Sequence, residues 1–136
     1  MSSPFVTSQS TIAELFDKSR IYAFPAFQRP YRWSVDDALL LLDDVSAACL
    51  RQDSGYFLGS LVLSQSEGRI QFVIDGRQRL TTLFLLLCVL RDLDDDPHRK
   101  ASLQRLLWDD VDTIARTEAG WRLRLDASDA DFVAQW

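Results

Sequence analysis

The stretch from Gln78 to Leu93 constrains this chain most. Leu80, Leu83, Phe84, Leu85, Leu86, Leu87, Val89 and Leu90 leave almost no polar face, so a helix here must be buried on most sides. Its longest unbroken apolar run, Leu83 to Leu90, is eight residues, far short of the roughly 20 needed to span a bilayer. The sequence therefore predicts a core helix, with its N-terminus aimed at whatever cleft opens above it. What stands at that N-terminus is the strongest local signal in the chain.

The signal reads Val73-Ile-Asp-Gly-Arg-Gln-Arg-Leu-Thr-Thr82. A strand ends, Gly76 permits a sharp turn, and a helix begins with two arginines in its first turn. Free backbone N–H groups and the positive end of the dipole favour an anion at a helix start. Arg77 and Arg79 add planar, permanently charged forks suited to phosphate. Acidic residues are normally preferred at that end, so basic ones suggest an anionic ligand. Asp75 beside them could orient an arginine, hold a Mg²⁺ that bridges phosphates, or activate water. The competing reading is a structural Asp–Arg pair at a strand-to-helix turn. The segment is not a P-loop, because no Gly-x-x-x-x-Gly-Lys-Ser/Thr occurs.

A second signal is Phe27-Gln-Arg-Pro-Tyr-Arg-Trp33. Gln28, Arg29 and Arg32 offer donors, while Tyr31 and Trp33 offer flat faces for a base. The alternative is that Tyr31 and Trp33 pack in the core while the arginines snorkel to water.

Elsewhere the patterns predict a short helix over 7–18 capped by Ser8 or Ser10, a strand over 21–24, and a structured loop to Trp33. Ser34 and Asp37 form a capping-box-like start for a helix ending near Arg51, with Val35, Ala38, Leu39, Leu42, Val45 and Cys49 on one face. After a turn over 52–55, strands are expected over 56–63 and 70–74, joined around Glu67-Gly68. Asp94 to Lys100 reads as a solvated polar loop, with His98 solvated too. A helix over 101–116, an edge strand over 121–125 and a helix from Ser128 to Trp136 follow. The apolar face of that last helix has only just begun at Trp136, so a longer protein is expected.

Composition narrows the chemistry. The 136 residues fit one domain, and Lys plus Arg total 15 against 20 Asp plus Glu, a net −5. A generally basic nucleic-acid coat is excluded, though a local basic site on an acidic body is not. One His and two Cys cannot build a Cys/His zinc site, and one His is too few for an HNH-type nuclease centre. Met1 to Ser10 lacks the basic start and apolar core of a secretory signal. Cys49 and Cys88 fall in apolar helical patterns, so reduced, buried thiols in a cytoplasmic protein are expected, with no membrane partner.

Three motifs in order carry a family resemblance: Gln28-Arg29-Pro30-Tyr31-x-Trp33, Phe57-Leu58-Gly59-Ser60, and Ile74-Asp75-Gly76-Arg77-Gln78-Arg79-Leu80-Thr81-Thr82. Together they resemble the N-terminal domain of GmrSD-type modification-dependent restriction enzymes, which is similar to the ParB/sulfiredoxin-like fold. The likeness runs from the first helix to about Leu93 and weakens after Asp94. It implies an α+β class, a small mixed sheet packed with helices, with a nucleotide-binding core over 1–93 and an extension over 94–136 that begins a further region.

The resemblance further implies binding and hydrolysis of a nucleoside triphosphate through an Asp-Gly-Gln-Gln-Arg-type motif, in a bacterial anti-phage protein. On that motif Asp75 and Gln78 take the catalytic positions, and Gly76 and Arg79 bind phosphate. Gln28 and Arg29 match the upstream pair facing the same cleft. Arg77 stands where the family typically has Gln; if that Gln positions a water, Arg77 would weaken hydrolysis while keeping or strengthening phosphate binding. ATP, GTP, UTP and CTP all fit, with Mg²⁺ at Asp75. The expected partners are an HNH-type nuclease domain or subunit and, through it, DNA; a homo-oligomer is compatible with the sequence. No nuclease activity is expected of this chain alone. Two other functions compete: a module gripping a DNA backbone phosphate, and a structural interaction domain in which the motif is only a fold-determining turn.

Overall fold

The computed structural model describes residues 6–16, 20–25, 30–64, 69–110 and 120–125. The expected helix over 128–136, the turn at Glu67-Gly68 and the stretch 111–116 lie outside these residues.

Local caps set the helix boundaries. Helix α1, Ile12–Leu15, starts later than the sequence predicts, because Thr11 rather than Ser8 or Ser10 is the cap. The Thr11 hydroxyl accepts the Glu14 N–H at 3.2 Å and the Glu14 carboxylate accepts the Thr11 N–H at 2.8 Å, which satisfies two orphan donors together. Strand β1, Ile21–Ala23, follows. Helix α2, Val35–Leu50, begins at the expected box, with Ser34 accepting from the Asp37 N–H and Asp37 accepting from the Ser34 N–H.

Residues 56–61 are not strand, a departure from the alternation read there. Strand β2 is only Val62–Ser64. Gly59 adopts φ +120° and the Ser60 carbonyl turns toward a side chain, accepting from Arg79 at 3.0 Å. A side-chain bond thus takes the place of a ladder bond. Strand β3, Ile70–Asp75, runs antiparallel to β2 with a bulge between Val62 and Leu63.

Helix α3, Arg77–Leu93, is the core helix expected. Leu80, Leu83 and Phe84 are buried, whereas Val89, Leu90 and Leu93 are exposed, so burial is confined to its first half. The loop expected over 94–100 is shorter than predicted. Helix α4, Pro97–Leu107, starts inside it, because Asp96 accepts the His98 and Arg99 N–H groups and Pro97 sits at the first helical position, where its missing donor costs nothing. Asp94 and Asp96 both pair with Arg99, and the Arg99 hydrogen bond holds the Asp94 carboxyl below its ordinary range. His98 is exposed, as expected.

Helix α4 stops at Leu107 rather than Arg116. Strand β4, Trp108–Asp109, pairs antiparallel with β5, Gly120–Trp121. The single edge strand expected over 121–125 is divided at Arg122, which is buried. Strand β6, Leu123–Arg124, then lies parallel to β1 at the sheet edge.

The main sheet has the order β2-β3-β1-β6, with β1, β3 and β6 parallel and β2 antiparallel. This is an α+β fold with a small mixed sheet packed with helices. Phe16, Tyr22, Val73, Leu80, Phe84, Leu107 and Leu123 form one buried cluster, so Leu107 and Leu123 share a core with the elements before Leu93. Phe84 anchors it through ring contacts to Phe16 at 5.8 Å and Trp121 at 6.0 Å.

Helix α2 departs most from expectation. Of its residues only Ala48 is buried, and Val35, Leu39, Leu42 and Cys49 are exposed, because the described residues do not cover that face. Cys49 is thus not a core thiol. Cys88 is half-buried and free, and burial pushes its thiol pKa up. No helix among the described residues is long and apolar enough to cross a membrane.

Candidate functional site

Parallel strands put their carboxyl ends on one edge of the sheet, which is where open sheets receive ligands. Here β1 leads into Phe24 and Pro25, and β3 leads through Asp75 and Gly76 into α3. Gly76 is the N-cap, at φ +97° and ψ 14°. A side chain at this position would meet the Leu61 Cδ1 at 2.7 Å and the Ser60 carbonyl oxygen at 3.3 Å. Glycine is therefore required twice, by backbone conformation and by space. Having no side chain, it also leaves the first turn of α3 without a side-chain cap, and no acidic residue stands in that turn.

Each of the next three residues has a distinct environment. Arg77 is 5% exposed, with its guanidinium carbon 4.3 Å from the Phe24 ring centroid, a cation–π geometry. Gln78 turns toward the loop after β1. Its Oε1 accepts the Arg32 N–H at 2.7 Å and the Trp33 N–H at 3.2 Å, and its Nε2 donates to the Pro30 carbonyl at 3.2 Å. Arg79 donates to the Ser60 carbonyl, and its guanidinium lies where a Gly59 Cβ would be, 2.5 Å from the Arg79 Cζ. One helical turn thus holds β1's end with Arg77, segment 30–33 with Gln78, and segment 59–61 with Arg79.

The two aromatics of the upstream motif are anchored to the same helix. Thr82 Oγ1 donates to the Gln78 carbonyl at 2.7 Å and therefore accepts from the Tyr31 hydroxyl at 2.9 Å. Tyr31 and Trp33 are both half-buried. Asp75 is exposed, with its Oδ1 accepting the Gly76 N–H at 3.0 Å. Among the described residues no group of three His, Cys, Asp or Glu could hold a metal. A Mg²⁺ at Asp75 would therefore draw its other ligands from phosphate and water, as this ion commonly does.

The structure accordingly brings together Asp75, Gly76, Arg77, Gln78, Arg79, Tyr31 and Trp33 around the start of α3. Gln28 and Arg29 lie outside the described residues. Sequence reasoning missed three supports: Phe24 under Arg77, Ser60 as the acceptor for Arg79, and Thr82 as the link to Tyr31. Gly59-Ser60 did carry a signal, since a Gly in a strand-like run marks a close backbone approach.

Gln78→Ala should loosen the loop without unfolding the core. Three hydrogen bonds are lost, each worth about 0.5–1.5 kcal/mol net, so amide exchange at Arg32 and Trp33 should quicken about tenfold or more. Unchanged protection at both amides would contradict the contacts described.

These features define a small α+β domain with a guanidinium-lined strand–glycine–helix corner. The profile of the family described as GmrSD restriction endonuclease, N-terminal domain, matches residues 12–133, nearly the whole chain. The chain belongs to that family and is a restriction-enzyme-associated domain. No curated protein matches it.

Proposed function

We propose that this domain binds a nucleoside triphosphate, with its phosphates over the first turn of α3, as the regulatory part of a bacterial anti-phage, modification-dependent restriction endonuclease. The observation that carries this reading is the inverted charge at the helix start. Two arginines and no acid occupy the first turn behind an uncapped glycine, where the dipole alone would prefer carboxylates. The arrangement becomes favourable once an anion sits there.

The geometry supports the following roles. Arg79 and the first-turn N–H groups face the phosphates, and Arg77, held under Phe24, supplies positive field from within. Gln28 and Arg29 enter the proposal only through their match to the family's upstream Gln-Arg pair. Asp75, exposed at the strand end, holds Mg²⁺ or orients the attacking water. Gln78, expected as catalytic, enters this proposal through its hold on segment 30–33, because both ends of its carboxamide are engaged there. Phosphoryl transfer is mainly positioning and charge stabilisation, so this cluster is sufficient in kind for turnover. An HNH-type nuclease partner and DNA belong to the same proposal.

A second reading has support of its own. Arg77, Gln78 and Arg79 each have a partner inside the protein, which is what a fold-determining turn would also show. Thermal unfolding with ATP, GTP, UTP and CTP, each with and without Mg²⁺, separates the two. A nucleotide at about 100 times its Kd adds about 2.7 kcal/mol, roughly 10 °C for a chain of this size. The shift should vanish in Arg79→Ala while the unliganded protein still unfolds cooperatively. No shift with any nucleotide would favour the structural turn.

A further inference from the structure

Two of the three arginines anchored at the first turn of α3 already have work inside the protein. Arg77 is buried against Phe24, and Arg79 is bonded to Ser60. The third is Arg32. Its backbone N–H donates to Gln78 Oε1 at 2.7 Å, the shortest of the three bonds that fix this loop to the second residue of α3. Its side chain is exposed, and among the described residues its guanidinium has no ion-pair or hydrogen-bond partner. A cation is thus pinned, by its own backbone, to the positive end of a helix that carries two more guanidinium groups.

Like charges gathered in this way repel one another, and exposed arginines are ordinarily free to swing away. Here the chain around Arg32 cannot, because Gln78 grips Pro30, Arg32 and Trp33 together. An independent feature marks the same turn. Thr81 is 2% exposed, and its hydroxyl has no hydrogen-bond partner among the described residues. At 3.6 residues per turn, Thr81 falls between Arg77 and Gln78 around the helix, and its Cα–Cβ bond tilts toward the N-terminus as in any helix. A buried hydroxyl without a partner thus stands one turn into the helix whose start holds Arg32.

We propose that Arg32 is a further phosphate-contacting arginine of this site, beside Arg79, and that Gln78 is its positioning residue. The inference rests on the reading that a triphosphate binds at the start of α3. The uncommitted fork of Arg32 reaches the phosphate chain bidentately, beside Arg79, while Arg77 supplies positive field from within.

Titration with inorganic tripolyphosphate by calorimetry at physiological salt tests this without involving a base. Arg32→Ala should raise Kd about tenfold or more and leave the unfolding midpoint of the free protein unchanged, since an exposed unpaired side chain is removed. Arg32→Lys should recover only part of the affinity, because a point charge replaces a fork. Gln78→Ala should weaken binding too, and the double variant should be no worse than the weaker single one, as expected of coupled residues. Arg51→Ala makes the same charge change at the far end of the 16-residue α2, a helix about 24 Å long, and should leave Kd unchanged. Unaltered binding in Arg32→Ala, with binding lost in Arg79→Ala, would overturn this inference and spare the site. Equal weakening by Arg51→Ala would overturn it in favour of diffuse attraction. Failure of the unmodified protein to bind either tripolyphosphate or any nucleotide would overturn both.

Discussion

Asp109→Ala should destabilise the protein by about 3–5 kcal/mol, the range found when one partner of a buried ion pair is removed. Asp109 lies on β4 with its side chain 7% exposed, between Arg69 at 2.7 Å and Arg122 at 3.5 Å. Arg122 is itself almost fully buried, and its Nε donates to the Arg105 carbonyl at 3.2 Å. Deleting the carboxylate removes one counter-charge from a guanidinium buried inside the protein. The effect should propagate, because this cluster joins the end of α4 and the bend between β5 and β6 to Arg69, which leads into β3. Asp109→Asn keeps the volume and one acceptor but loses the charge, and should recover only a small part. Urea unfolding followed by far-UV dichroism gives the number directly. A loss below about 1 kcal/mol for Asp109→Ala would mean the pair is solvated and of the surface kind.

Gly76→Ala should cost about 2–5 kcal/mol. An alanine at φ +97° pays about 1–2 kcal/mol for the left-handed backbone, and its Cβ would press on the half-buried Leu61, adding an overpacking term of about 1–3 kcal/mol. Gly59→Ala provides the contrast. Its φ of +120° also disfavours alanine, but the Cβ would meet the far end of a flexible arginine, which can move. The cost should be nearer 1–2 kcal/mol, mostly backbone strain, and the main loss should be the Arg79–Ser60 contact. If the two alanines prove equally costly in urea unfolding, the tight packing of Leu61 on Gly76 is not what requires glycine there.

Much of the site's frame could be read from residue types. Ser34 and Asp37 announced α2 through a reciprocal cap, and the step from Val73 through Gly76 to Arg79 announced the strand–turn–helix corner. For Tyr31 and Trp33 the residue types left base stacking and core packing both open, and it is the fold that sets them beside that helix. What escaped was the accounting of side-chain partners. Nothing in the spacing of Arg77 and Arg79 tells that one goes under Phe24 and the other to Ser60, since both choices depend on residues brought near only by the fold. The strand expected over 56–63 shrank for the same reason, because alternation cannot reveal that a carbonyl is turned to a distant arginine. The helix starting at Pro97 was overlooked because a run of Asp read as solvent-facing loop, although Asp96 with Pro97 is also a good cap. The apolar stripe of α2 was legible as a helix face, but amphipathicity carries no information on which surface covers it. Asp109, the centre of a buried charge cluster, gave no signal, since its partners Arg69 and Arg122 are remote in sequence.

The most direct test of the triphosphate site is to follow backbone amide resonances during titration with nucleotide and Mg²⁺. The account predicts shifts concentrated at Asp75 to Leu80, in segment 30–33 and at Gly59 to Leu61, with α2 beyond its first turn and α4 unmoved. Absence of shifts at the start of α3, or shifts centred on α2 or α4 instead, would contradict it.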